Sequence, residues 1–545
     1  MSDFNVAEVW DALAKARPDD LAIVFRDRRL TRADVSRRAN HFAAELARRG
    51  LGCFRERTDL QPWESGQDHL AIYLHNGNEY LEAMLAAFKA RVAPFNVNYR
   101  YVAEELHYVL HDASATSIIF HSAFAATLAD VLPGLPLLVN LFQVDDGSRA
   151  SLLPGAVWYE DIAGATTAIT PLTGLSPDDL YILYTGGTTG MPKGVLWRQA
   201  DAFTECFGGN RTAKSLAEVV AGATTKARAV LAPPFMHGAG HWVALSCWNG
   251  GGTVYIQDTP ERLDPAEIWA LVERERITFL LIVGDAFARP LLDELDDLPR
   301  DLSCLSVILS GGAALSAGLK EAFLRHVPQA MIIDGLGASE VGGQLQHVST
   351  DGSASTGVFP LATSAAILSE DLTRVLAAGV DELGWLAKRG SRLALGYLGD
   401  ADKTNRTYPV IDGQRFGVPG DRARLTEDGM VMLFGRESAT INSGGEKIFA
   451  EEVEAAVKAH ASVYDCVVTS RPSQRWGNEV VAIVRLREGQ TPSESDLQQE
   501  AGRHIARFKL PKLYVFVDAI TRSPAGKADY RWAKDVALGT LGDPS

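Results

Sequence analysis

The sequence predicts an α/β protein: a large N-terminal region of several subdomains with mainly parallel sheets, then a small α+β C-terminal domain. Three observations lead there. Short apolar or β-branched runs alternate with helix-period segments through most of the chain, and such β–α alternation builds parallel sheets covered by helices. After Gly435 the pattern changes to a compact helix–strand mixture with its own apolar set: Val453, Val467, Val468, Val480, Ile483, Val515 and Phe516. The chain's 545 residues also exceed what one hydrophobic core organises. We therefore expect two domains, 1–435 and 436–545.

The elements follow in order. Thr31 and Asp34 form a capping-box start, Val35, Phe42, Ala43 and Leu46 recur at helical spacing, and Gly50 ends that helix. Leu70–Leu74 reads as a buried strand, with Asn78 capping the helix through Met84 and Phe88. Thr116–Phe120 is another β-branched run. Three strand–helix pairs come later: Thr253–Ile256 with Pro265–Val272, Thr278–Val283 with Ala286–Leu295, and Leu305–Leu309 with Ser316–Arg325. The polar stretch Gly52–Asp68 reads as a surface insertion, and the Ser/Gly-rich Ser349–Gly357 as a flexible loop.

Composition narrows the function. Apolar residues make up 46% and charged residues 22%, as in folded soluble proteins. Lys+Arg number 53 against 68 Asp+Glu, a net charge of -15 with no basic patch, which argues against nucleic acid as a partner. Cys53, Cys206, Cys247, Cys304 and Cys466 are odd in number, far apart and without C-x-x-C spacing. A reducing compartment fits them better than a disulfide or zinc framework. No signal peptide is apparent, and no uncharged apolar run approaches the ~20 residues of a membrane span. The expected location is cytoplasmic; peripheral membrane contact and self-association stay open.

The chemistry begins at Tyr181-Ile-Leu-Tyr-Thr-Gly-Gly-Thr-Thr-Gly-Met-Pro-Lys-Gly194, an apolar strand running into glycines, threonines and a lysine. Glycines let backbone N–H groups approach a polyanion, hydroxyls add donors, and Lys193 adds charge. This is a phosphate-cradling loop but not a P-loop, because Met191 and Pro192 separate the glycine from the lysine.

That stretch resembles the signature loop, Y-T-S-G-T-T-G-x-P-K-G, of the adenylate-forming superfamily: acyl-CoA synthetases, peptide-synthetase adenylation domains and beetle luciferases. Gly186 stands where serine is common. Further motifs follow in the family's order over nearly the whole chain. The resemblance implies that Thr185, Gly186, Gly187, Thr188, Thr189, Gly190 and Lys193 hold the phosphates of ATP. Ser310-Gly-Gly-Ala-Ala-Leu315 places Gly311, Gly312 and Ala313 against adenine. Leu336-Gly-Ala-Ser-Glu340 puts Ser339 at the α-phosphate and Glu340 on Mg²⁺, with Leu336 where the family has an aromatic residue. By the same resemblance Asp421, in Val418-Pro-Gly-Asp-Arg422, would accept from the ribose hydroxyls, and Arg436 would contact ribose or phosphate. Gly435–Lys447, then Glu451-Glu-Val-Glu454, resembles the family's linker and the first element of its C-terminal domain: Ser438 aligns with the hinge, and Ser443, Gly444 and Gly445 would line the coenzyme A channel. Ser523-Pro-Ala-Gly-Lys-Ala528 makes Lys527 the catalytic lysine, swinging over the active site to stabilise developing charge. Pro234–Trp242 resembles the wall of an acyl pocket, where His237 is either a gate or a satisfied core histidine.

The implied function is ATP-dependent acid–CoA ligation through an acyl-adenylate. By the same resemblance, residues 1–435 would bind acid, ATP and Mg²⁺, and 436–545, a mobile domain, would carry the catalytic lysine and the coenzyme A half-reaction. The likeness extends to actinobacterial acyl-CoA synthetases of steroid side-chain acids, through Tyr184–Gly190 with Trp197-Arg198, Ile441–Lys447 and Ser523–Lys534. A lipid acid follows, a steroid side-chain acid first and a medium- or long-chain fatty acid as the alternative. Two other classes are compatible with part of the pattern: an adenylation module loading a separate carrier protein, and a non-catalytic nucleotide-binding homologue. Intact Lys193, Glu340, Asp421, Arg436 and Lys527 oppose the latter.

Overall fold

A computed structural model describes residues 3–185, 191–350, 354–443, 446–473, 476–523 and 526–539. Two eight-stranded sheets dominate the N-terminal part. In one, Met331–Ala338, Val307–Gly311, Phe279–Ile282, Arg228–Leu231, Thr253–Ile256 and Leu21–Phe25 pair in parallel. Antiparallel strands Gly342–Ser349 and Arg28–Thr31 close its edges. In the other, Leu180–Thr185, Ala93–Asn96, His69–Tyr73, Ser117–His121, Asn140–Val144 and Ala156–Trp158 pair in parallel. Lys193–Arg198 extends that sheet antiparallel to Leu180–Thr185. The central strands are buried on both faces, which is why they read as continuous apolar runs rather than alternating ones. A seven-stranded antiparallel sheet follows between Val358 and Arg436.

Local chemistry explains most element ends. The capping box forms as expected: the Thr31 hydroxyl accepts the Asp34 N–H at 3.1 Å, and the Asp34 carboxylate accepts the Thr31 N–H at 3.1 Å. Helix Arg32–Arg48 then ends two residues before Gly50, whose φ of 79° only glycine adopts freely. Asn78 does not cap its helix. It is the first helical residue, behind Gly77, and its amide donates to buried Glu82 at 3.0 Å. A fully buried carboxylate needs donors more than a helix end does. The 52–68 insertion is pinned down: Arg91 bonds both Glu56 and Asp179, at 2.8 and 2.9 Å.

Beyond Arg436 the chain builds a two-stranded ribbon, Thr440–Ser443 with Glu446–Phe449. A three-stranded sheet, Val463–Ser473, Gly477–Leu486 and Leu513–Phe516, follows. Val468 and Val480 pack on one face of the sheet against Val453 of helix Ala450–Lys458 and Leu497 of helix Glu494–Ala501. Val467 and Ile483 pack on the other with Ala533 of helix Tyr530–Leu538. Phe516 departs from the expected core: it ends an edge strand and is 44% exposed.

Candidate active site

Several candidate residues sit at the carboxyl ends of parallel strands, where chain geometry gathers ligands. Thr185 ends one such strand and pairs directly with Lys193, so the two residues bracket the phosphate loop. Gly186, Gly187, Thr188, Thr189 and Gly190 lie outside the described residues, as do Gly444 and Gly445. Gly311 ends the strand Val307–Gly311, and Gly312 turns away from it with φ of 92°. Ser339 and Glu340 directly follow the strand Met331–Ala338. Asp421 and Arg436 face each other across an antiparallel pair, with Arg436 Nε 3.4 Å from the Asp421 carboxylate.

Lys527 comes from the C-terminal part and enters this cleft. Its Cε lies 3.8 Å from where a Cβ on Gly312 would stand, against the turn expected to hold adenine. The side chain reaches water in the cleft, yet protein surrounds it. Burial pushes its pKa below the ordinary lysine value, and Arg436 pushes the same way; Glu340, Asp421 and Glu451 oppose them. These residues therefore share one electrostatic environment. Burial raises the Asp421 carboxyl, with Arg436 pulling it back down. For Arg436, burial acts downward, but Asp421, Glu340 and Glu451 outweigh it and the net shift is upward.

Glu340 is held from two sides. The Tyr397 hydroxyl donates to its carboxylate at 2.7 Å, and the Tyr408 hydroxyl donates to its backbone carbonyl at 3.0 Å. Trp197 Nε1 donates to the Ser339 carbonyl at 2.8 Å, fixing the same turn from the second sheet. Lys403, 4.1 Å above the Tyr397 ring, feels both Glu340 and Lys193, which puts the loop lysine on the carboxylate's side of the cleft. Lys193 lies 3.9 Å from both Asp112 and Asp400. Ala313 packs beside Gly284. Ser443 stands at the tip of the ribbon, paired with Glu446, rather than in this charged cluster.

The residues sequence reasoning missed are Tyr397, Tyr408 and Glu451. Glu451 has its pKa pushed up to about 7 by burial, then by Glu454 and Asp421. A Cβ on Gly435 would lie 2.8 Å from its carboxylate, so the side chain lies against the backbone beside Arg436. The only signal for it was its place in the Glu451–Glu454 motif.

His237 and His241 separate the two readings of the acyl-wall segment. His241 is the satisfied core histidine: its Nδ1–H donates to the Phe235 carbonyl at 2.6 Å and its Nε2 accepts from the Tyr181 hydroxyl. His237 has a buried Nε2 with no hydrogen-bond partner among the described residues. Its pKa is pushed down to about 3 by burial, with Lys527 acting in the same direction.

Mg²⁺ takes hard oxygen ligands and commonly binds one carboxylate plus substrate phosphates. Among the described residues no three-residue acidic or histidine cluster offers a complete cage. Glu340, with one oxygen bonded to Tyr397, fits the single-carboxylate arrangement.

The lowered Lys527 pKa gives a pH prediction. A charge-stabilising role needs the ammonium form, so adenylation should decline as pH rises through a value below 10.5. Lys527→Arg, charged at all accessible pH, should abolish that alkaline decline in an ATP–pyrophosphate exchange profile even where its rate is lower.

Residues 10–398 match the AMP-binding enzyme family, and residues 452–527 match the AMP-binding enzyme C-terminal domain. The chain is 48% identical over 542 residues to the medium-chain acyl-CoA ligase Mig of Mycobacterium avium, covering 98% of each. It is 36% identical to the 3-oxocholest-4-en-26-oate–CoA ligase of Rhodococcus rhodochrous, covering 97% of this chain and 95% of that one. Among solved structures, ATP-bound MatB from Rhodopseudomonas palustris superposes with a TM-score of 0.81 at 23% identity, over 99% of this chain and 100% of that one. The anthranilate CoA ligase AuaEII with anthranoyl-AMP also gives 0.81, at 20% identity over 98% of each. These last two bear on the fold alone. The chain belongs to the AMP-binding enzyme family and is an adenylate-forming, ATP-dependent acid–CoA ligase.

Proposed function

We propose that the protein activates a lipid carboxylic acid in two steps, with Lys527 serving the first and the C-terminal domain turning for the second. One observation carries the reading: Lys527 crosses from the C-terminal part into the cleft formed by Gly312, Asp421, Arg436 and Glu340. A carboxylate lacks a good leaving group. Attack of its oxygen on the α-phosphorus of ATP expels pyrophosphate and makes AMP that leaving group. The negative charge that builds up needs cations in place beforehand, and Lys527, Arg436 and Lys193 supply them. Asp421 orients the ribose, and Ser339 meets the α-phosphate. Glu340 would hold Mg²⁺, which when bound neutralises phosphate charge. The thiol of coenzyme A then attacks the acyl carbonyl and releases AMP. The pantetheine arm follows Ser443, Gly444 and Gly445 once the C-terminal domain has turned Lys527 away, with the Ser438 region as its hinge.

Lipid specificity rests on helix Gly238–Asn249. Its buried face packs into the core, but Ala239, Trp242, Val243 and Ser246, at helical spacing, stay half-exposed next to His237. An apolar strip left open beside the reacting centre suits an alkyl or sterol body. A medium-length fatty acid stands first, because the relative at 48% identity is a medium-chain ligase. A steroid side-chain acid stands second, after the relatives at 36% and 37%. No helix among the described residues is long and apolar enough to cross a membrane; we place the enzyme in the cytoplasm. The test is a panel of fatty acids of graded length and steroid side-chain acids, with Mg²⁺–ATP and coenzyme A and mass detection of acyl-CoA. A kcat/KM at least tenfold higher for one class is expected. Equal turnover of short polar acids would contradict the lipid assignment.

A further inference from the structure

Helix Gly284–Asp297 carries a polar strip facing the C-terminal domain. We propose that this strip holds the domain in its adenylating orientation, with the Asp285–Lys458 ion pair as the latch. The inference rests on the two-step reading above and names the residues that set its conformational balance.

Asp285, Arg289 and Asp293 recur every fourth residue, on one face of the helix. Each meets the C-terminal domain. The Asp285 carboxylate accepts from Lys458 Nζ at 2.8 Å and, through its other oxygen, from the Ser316 N–H at 2.7 Å. The Arg289 guanidinium lies 5.5 Å from the centre of the Tyr464 ring. The Tyr464 hydroxyl donates to the Asp293 carboxylate at 3.0 Å. The same helix places Phe287 3.2 Å from the Cβ position of Gly526, the residue just before Lys527.

The contacts on the C-terminal side move as one body. Arg522 bonds the Asp465 carboxylate at 2.7 and 2.8 Å, next to Tyr464, and donates to the Gly526 carbonyl at 3.1 Å. Seating Lys458 and Tyr464 on the strip therefore seats the Lys527 loop as well. Turning the domain to admit coenzyme A must release all of these contacts together.

Asp285 and Lys458 are only 5% and 12% exposed, so the pair is shut off from water. Lys458 also faces Glu454 and Asp465, and Asp285 faces Arg289. Removing one member of such a pair leaves the other charge buried without its partner. That penalty exists only while the domain is docked, because undocking returns the survivor to water. Neutralising either partner thus disfavours the adenylating state and spares the other one.

The experiment measures the half-reactions separately in the full-length enzyme: ATP–pyrophosphate exchange with a fatty acid, and conversion of presynthesised acyl-AMP with coenzyme A. The variants are Asp285→Asn, which keeps an acceptor for Ser316, Lys458→Met, their combination, and Tyr464→Phe. Each charge variant should slow exchange about tenfold, and Tyr464→Phe about threefold. Acyl-AMP conversion should stay at or above the wild-type rate in all of them. The double variant should be no worse than the slower single. A parallel fall in both half-reactions, or no change in either, would overturn the latch. Tyr464→Phe, a loss of one hydroxyl, decides the matter if a charge variant fails to fold. A wild type that makes acyl-CoA without any exchange would instead refute the two-step reading itself.

Discussion

Lys527→Ala should reduce acyl-AMP formation about 100- to 1,000-fold while leaving the conversion of supplied acyl-AMP to acyl-CoA nearly intact. The magnitude is that of removing one pre-placed charge or donor from a transition state that accumulates negative charge. The asymmetry follows from position. Lys527 lies against Gly312 and shares the field of Arg436, Asp421 and Glu340 only while its domain is seated as observed. In the second half-reaction the attacking group is a thiol and the leaving group AMP, and in the proposed cycle the domain has turned Lys527 away. Lys527→Arg should recover part of the lost rate, since charge is restored but the guanidinium does not fit a slot shaped around an ammonium. Separate assays of exchange and of acyl-AMP thiolysis distinguish this from a folding defect, which would lower both.

Glu340→Gln should cost about 100-fold or more in adenylation and raise the Mg²⁺ concentration needed for half-maximal rate. Glutamine keeps the size of the side chain and an oxygen to accept the Tyr397 hydroxyl, so the turn after Ala338 should stay in place. What it loses is the ionised oxygen available to a hard cation. Tyr397→Phe removes only the orienting hydroxyl and should cost about tenfold, with the same direction of change in Mg²⁺ dependence. A Glu340→Gln enzyme with wild-type Mg²⁺ dependence would show that the carboxylate has a structural role alone. Rates measured across a Mg²⁺ titration, at fixed ATP and acid, separate the two.

The candidate cleft residues were legible mainly through the family motifs that carry them, and local rules account for where those motifs sit. Gly312 needs a backbone only glycine adopts freely. Thr185, Gly311 and Ser339 lie at or just past strand ends, where open α/β sheets gather ligands. The parallel sheets were legible for the same kind of reason, since strands buried on both faces cannot avoid apolar runs. Tyr397, Tyr408 and Trp197 were not predicted as supports. Each is an aromatic residue whose polar tip reaches a turn far away in sequence, 57, 68 and 142 residues distant. No local periodicity encodes such a contact. Asn78 failed as a cap for a related reason: Glu82, buried one turn later, competes for its side chain. Glu451 lay inside a recognised motif, but only the fold shows it beside Gly435, in the field of Arg436 and Lys527.

The polar strip of helix Gly284–Asp297 and the Lys527 loop connect these levels. A helix with charged residues at every fourth position looks, in sequence, like any solvated helix face. In the folded chain Asp285 is nearly closed off from water, because a lysine from another domain covers it. In the proposed latch that contact must form and then break, and sequence patterns report neither half of that requirement.

The most direct test of the central claim is the fate of the carboxylate oxygen. The enzyme is given a fatty acid labelled with ¹⁸O in both carboxylate positions, with Mg²⁺–ATP and coenzyme A, and the products are separated by mass. Attack on the α-phosphorus predicts AMP carrying one ¹⁸O, acyl-CoA retaining the other, and unlabelled pyrophosphate. Label in pyrophosphate or phosphate, with AMP unlabelled, would contradict an acyl-adenylate and the roles assigned to Lys527, Asp421 and Glu340 with it.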